Sequence, residues 1–128
     1  MWLITPIGFF SVVQKPSDVL GQTLTVRSRM RADLENLRAQ FLPGLGDIAE
    51  SKTNNYRFRA VAPKAEVAAA MASMVTSLEY SNFKNQVAKV QGASRAHLYH
   101  DVWSVLYRLQ AEPKKFAVAG LDPKVIGV

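Results

Sequence analysis

The chain has 128 residues, 48% of them hydrophobic and 20% charged, with a formal net charge of +6 from sixteen basic and ten acidic side chains. That length and balance fit one globular domain with a core of its own rather than a disordered tail or a repeat array. The chain has no cysteine, which excludes disulfides, zinc–thiolate sites and thiol nucleophiles.

The opening MWLITPIGFFSVV has no basic residue ahead of its apolar run, and Pro6 and Gly8 interrupt it. It fits neither a secretory signal nor a membrane span, which needs ~20 apolar residues. The expectation is a cytoplasmic protein with no membrane partner. Within the run, Trp2–Thr5 and Phe9–Gln14 are β-type segments joined by a Pro-Ile-Gly turn, a hairpin signature. KPSDVLGQ, with its Pro, Ser, Asp and Gly, reads as a loop. Thr23–Arg29 alternates with period two, placing Leu24 and Val26 on one side and Thr23, Thr25, Arg27 and Arg29 on the other, a half-buried strand.

Residues 31–42 space Leu34, Leu37 and Phe41 along one helical face, and Pro43-Gly44 stops the helix. A polar connection leads to Tyr56–Val61, which alternates again with Tyr56, Phe58 and Ala60 opposite Arg57 and Arg59. Pro63 suits the first position of an alanine-rich helix running to Leu78. Ser81 can cap a shorter helix bearing Phe83, Val87 and Val90, which Gly92 ends. Ser94 can cap the last helix, to about Gln110. The predicted domain is 1–110, followed by a C-terminal tail, 111–128, that is docked or mobile. Strand-rich first and helix-rich second predicts an α+β fold, a small antiparallel sheet of three to four strands with helices packed on one face.

GFFSVVQK, LTVRSR, YRFRAVAP, YSNFK and YHDVWSVLYRLQ resemble, in this order, a family of small uncharacterised bacterial proteins. The resemblance spans most of the first 110 residues and implies a bacterial or phage origin. It implies no activity, cofactor or site residue.

Three groups of residues invite a functional reading. His97 and Asp101 are i, i+4 on the last helix, close enough for the carboxylate to orient the imidazole of a general base. His100-Asp101 also spells the doublet of metal phosphohydrolases, but no histidine precedes residue 97, so a histidine-rich metal site cannot be assembled from one chain. The plainer explanation is the solvated edge of an amphipathic helix. On the same helix Tyr99, Trp103 and Tyr107 widen the apolar arc to ~200 degrees, enough for either a core edge or a protein-interaction surface.

Arg27, Arg29, Arg57 and Arg59 carry the most information. Each pair alternates with apolar residues and so points away from the core side of its strand. Gathered on one sheet, four guanidinium groups need compensation, from carboxylates such as Asp33, Glu35, Glu50 or Glu66 or from an external anion, for which arginine's planar fork is suited. With Tyr56 and Phe58 facing inward, no base-stacking platform is expected.

No nucleophile elbow and no phosphate-binding glycine loop is present. The sequence therefore predicts a non-enzymatic accessory or regulatory protein that binds nucleic acid, another polyanion or an acidic protein through the four arginines. No cofactor or metal is expected. The alternative is an interaction module or homo-oligomer using Tyr99, Trp103 and Tyr107. A His97–Asp101 general-base enzyme stands third.

Overall fold

In the computed structural model, which describes residues 1–117, the hairpin forms as the breakers dictate. Strand β1 (Trp2–Thr5) pairs antiparallel with β2 (Gly8–Val13), with Leu3 opposite Phe10 and Ile4 opposite Phe9. The Thr5 hydroxyl clamps the turn, donating to Gly8 O at 2.8 Å. Strands β3 (Thr23–Ser28), β4 (Ala49–Glu50) and β5 (Phe58–Pro63) complete an antiparallel sheet in the order β1-β2-β3-β5-β4. The sheet has five strands where three to four were expected. The extra one is the two-residue β4, too short to leave an alternation in the sequence.

One face carries the main core. Phe10, Val12, Val26, Ala60 and Ala62 meet Leu34 and Leu37 of helix α2 (Arg31–Gln40) and Val67 and Ala70 of helix α3 (Lys64–Thr76). Alanine on both sides of the α3 contact lets the helix lie close to the strands. Contrary to the one-sided expectation, helices also cover part of the other face. There Ile4 and Phe9 pack against Val87 of α4 (Phe83–Gln91) and against Ala96 and Tyr99 of α5 (Ala93–Leu106). Burial on both parities of GFFSVV requires that second layer.

Several boundaries move from the sequence reading. KPSDVLGQ contains a one-turn helix, α1 (Asp18–Gly21). β5 runs two residues later than expected and ends on Pro63, which precedes α3 instead of opening it. The side-chain cap of α4 is Asn82, which accepts from Asn85 N at 2.9 Å, and not Ser81. Ser94 lies inside the first turn of α5 and Gly92 precedes it, at φ 95°. Beyond Leu106 the chain continues as two single turns, α6 (Arg108–Ala111) and α7 (Pro113–Phe116). The region read as a tail thus begins within helix. Residues 118–128, with the docked-or-mobile alternative, lie outside the described residues. Among the described residues no helix is long and apolar enough to cross a membrane.

Two buried carboxylates hold the fold, one locally at the start of β3 and one between the helical layers. Asp18 accepts from Thr23 Oγ1 at 2.6 Å, Lys15 N at 2.7 Å and Thr25 Oγ1 at 2.8 Å. The Thr23 hydroxyl first, then the Lys15 amide, hold its pKa below the ordinary aspartate value against the opposing effect of burial. A depressed carboxylate stabilises the fold above its unfolded pKa and loses that contribution as pH falls through the folded one. Asp18→Asn is therefore expected to be less stable than the wild type at pH 7. The gap should narrow in urea denaturation as pH falls below the ordinary aspartate range and through the depressed folded pKa.

The second carboxylate, Asp33 in the first turn of α2, accepts from Phe9 N at 3.0 Å and from both terminal nitrogens of Arg95, at 2.9 and 3.1 Å. Gly8 makes this approach feasible, because a Cβ there would sit 2.7 Å from Asp33 Cβ and Cγ. Gly8→Ala is expected to cost about 1–3 kcal/mol in urea denaturation, the range for overpacking a filled site.

Candidate nucleic-acid interface

The register of β3 and β5 decides where the arginines go. Arg27 lies directly opposite Arg59, and on its other side opposite Ser11 of β2. All three share the face away from the main core. Like charges directly opposite each other across strands repel. The sheet nevertheless holds this pair at its centre, where each side chain is half-buried.

Tyr56 organises the cluster, and its position corrects the inward-facing expectation. The strand begins only at Phe58, so the alternation does not extend back to Tyr56. Its ring lies buried on the arginine side, with Arg27 Cζ 4.4 Å and Arg29 Cζ 4.6 Å from the ring centroid. It is parallel to Phe9 at 6.5 Å, and Phe9 in turn meets Trp2 edge-on at 5.5 Å. Cation–π contacts of this kind contribute about 0.5–2 kcal/mol depending on desolvation. They hold guanidinium groups in place without neutralising them. Arg27 Nη2 donates to Ser11 Oγ at 2.7 Å, while its Nε is buried without a hydrogen-bond partner.

The segment from Ser51 to Arg57 folds over this face and leaves two hollows. The smaller, about 160 Å³, is lined by Lys15, Arg27, Asn54, Asn55, Tyr56 and Arg59, with no carboxylate. The larger, about 500 Å³, is lined by Arg29, Ser51, Lys52, Asn54, Asn55 and Arg57. Of the acids expected to compensate, Glu50 reaches Arg57 at 2.7 Å, Glu35 takes Arg31 at 3.1 Å, and Asp33 is committed to Arg95. Glu66 makes no ion pair with any of the four. Among the described residues, Arg27, Arg29 and Arg59 have no carboxylate partner. Their polar contacts are Ser11 for Arg27, the Asn55 carbonyl for Arg29, and the Tyr56 carbonyl together with the Asn54 amide oxygen for Arg59.

The other candidates separate. His97 and Asp101 are both exposed and make no hydrogen bond with each other, so the orientation that a general base needs is missing. His100 instead stacks on Trp103 at 5.6 Å. Tyr99 is buried, stacked on Phe83 at 6.1 Å and accepting from Arg95, and burial raises its pKa. It is therefore a core residue. Trp103 and Tyr107 stack on each other at 5.4 Å and stand in solvent, so of the two readings of the α5 arc the core edge holds for Tyr99 but not for these two.

Sequence reasoning missed Lys15, Asn54, Asn55 and the exposed Trp2. Only Trp2 left a legible signal, a large aromatic at the outer end of an edge strand. Comparison with models of protein families, with curated proteins and with solved structures finds no match.

Proposed function

We propose that this protein binds a polyanion, nucleic acid first, through the sheet face that holds Arg27, Arg29 and Arg59. What chiefly supports it is that Arg27 and Arg29 are held over the Tyr56 ring and strand register holds Arg59 opposite Arg27, yet none of the three has a carboxylate partner among the described residues. Fixed donors lose less entropy on meeting a phosphate than free surface lysines do, and arginine's fork matches phosphate oxygens. Lys15 and Lys52 extend the surface, and the asparagine amides supply neutral donors beside it. No step of chemistry is assigned to the site, and the protein acts by binding alone.

The test is fluorescence anisotropy of labelled single- and double-stranded oligonucleotides across a range of salt. Phosphate contacts release counterions, so the logarithm of affinity should fall linearly with the logarithm of salt, at about 0.7–0.9 per contact. Absence of binding even at low salt would end this reading.

A second reading keeps a specific observation. Trp103, Val105, Leu106, Tyr107 and Leu109 are all exposed, and they point to several sides of α5 and α6. Large apolar side chains gathered in solvent at one end of a domain mark an interaction surface. We propose that a protein partner, or a second copy, covers this end. Light scattering across a concentration series separates a self-associating chain from a monomer.

A further inference from the structure

The arginine face continues into a cleft. Between the β1–β2 pair and α5 lies a cavity of about 490 Å³, within the range of small-molecule sites. Trp2 and Phe9 wall it on the sheet side, Leu98 and Val102 on the helix side, and Arg29 stands at its rim. Asp33 and Arg95 also line it, but they form a bidentate pair whose charges cancel. Arg29 is the charge left over. It is exposed, it lies 5.8 Å from the Phe9 ring centroid, and no carboxylate meets it among the described residues. Trp2 is 67% exposed, a large aromatic surface left open beside that cation.

We propose that this cleft takes one nucleobase of a single-stranded nucleic acid, its ring against Trp2 and the side chains of Leu98 and Val102, with the adjoining phosphate on Arg29. The inference rests on the arginine-face reading and adds to it the form of the nucleic acid. An apolar slot beside one uncompensated cation matches a flat, weakly polar ring joined to an anion. Every base has a π-face, so stacking of this kind binds single strands with little regard to sequence. A base inside a duplex must be flipped out before it enters such a slot, which costs unpairing and unstacking. Preference for single strands follows. A duplex still meets the arginines but leaves the cleft unused.

The experiment compares an oligothymidylate, an abasic strand of the same length and a duplex, each titrated with the wild type, Trp2→Ala and Trp2→Phe at one salt concentration. The wild type is expected to bind the thymidylate about tenfold more tightly than the abasic strand. Trp2→Ala should bring the thymidylate down to the affinity the same variant has for the abasic strand, and Trp2→Phe should restore most of the difference. Equal binding of the thymidylate and abasic strands by the wild type, or a difference that survives in Trp2→Ala, overturns the base pocket and leaves the arginine face standing. Failure of every strand to bind overturns both.

Discussion

Replacing Arg95 by alanine is expected to destabilise the protein by about 3–5 kcal/mol, a large part of the 5–15 kcal/mol typical of a domain. Arg95 meets both oxygens of Asp33, whose side chain is 4% exposed, across 62 residues of sequence. Those hydrogen bonds hold the guanidinium's pKa above its usual value against the cost of burial. The pair joins the first turn of α5 to the first turn of α2. It therefore connects the helices on one face of the sheet to those on the other. Removing the arginine leaves a buried carboxylate with only the Phe9 amide. Arg95→Lys should recover little, because an ammonium cannot serve both oxygens in one plane. The double change Asp33→Asn, Arg95→Leu should recover much of the loss, since it removes both charges together. Urea denaturation of these variants measures each value. A loss below about 1 kcal/mol for Arg95→Ala would mean that water replaces the guanidinium.

Removing Arg29 and Arg59 together is expected to weaken single-strand binding by roughly 100-fold at low salt, two charge-assisted contacts at about 1.5 kcal/mol each. The salt slope should fall by about 1.4, at 0.7 per phosphate on a single strand. Stability should change little, because Arg29 is exposed and the loss of Arg59 relieves the repulsion opposite Arg27. Arg57→Ala should have a smaller effect on binding, since Glu50 already neutralises that side chain. Lys89→Ala with Arg108→Ala removes the same net charge from α4 and α6 and should leave the slope near the wild-type value. Affinity that follows net charge alone, equal in both double variants, would contradict a located site.

The arginine face was legible because alternation is a local property. Leu24 and Val26 had to go inward, so Arg27 had to go outward, and the same holds for Ala60 and Arg59. The pairing of β3 with β5 then brought Arg27 and Arg59 together, which no local pattern states. Tyr56 was misplaced for the complementary reason. Period two applies only while the chain is strand, and the strand stops at Phe58. Periodicity also shows which side of a helix is apolar without showing which face of a sheet receives it. The second helical layer was foreshadowed instead by GFFSVV, whose apolar residues fall on both parities. Asp33 was read as a surface partner for the arginine strands because it is near them in sequence. Its actual partner comes from a helix 62 residues away. In α5 the width of the apolar arc left open whether the domain or a partner covers it, and within α5 the domain itself buries only Ala96 and Tyr99.

On the proposed function, a nucleic acid meets Arg27, Arg29 and Arg59 and not the basic surface at large. The direct measurement is a titration of the arginine side-chain Nε–Hε signals by ¹⁵N NMR with a short single-stranded oligonucleotide. The expected result is that the Arg27, Arg29 and Arg59 signals move together and saturate, while Arg31 and Arg108, paired with Glu35 and Glu112, stay in place. Shifts spread evenly over all arginines, or none at Arg27, Arg29 and Arg59, would contradict it.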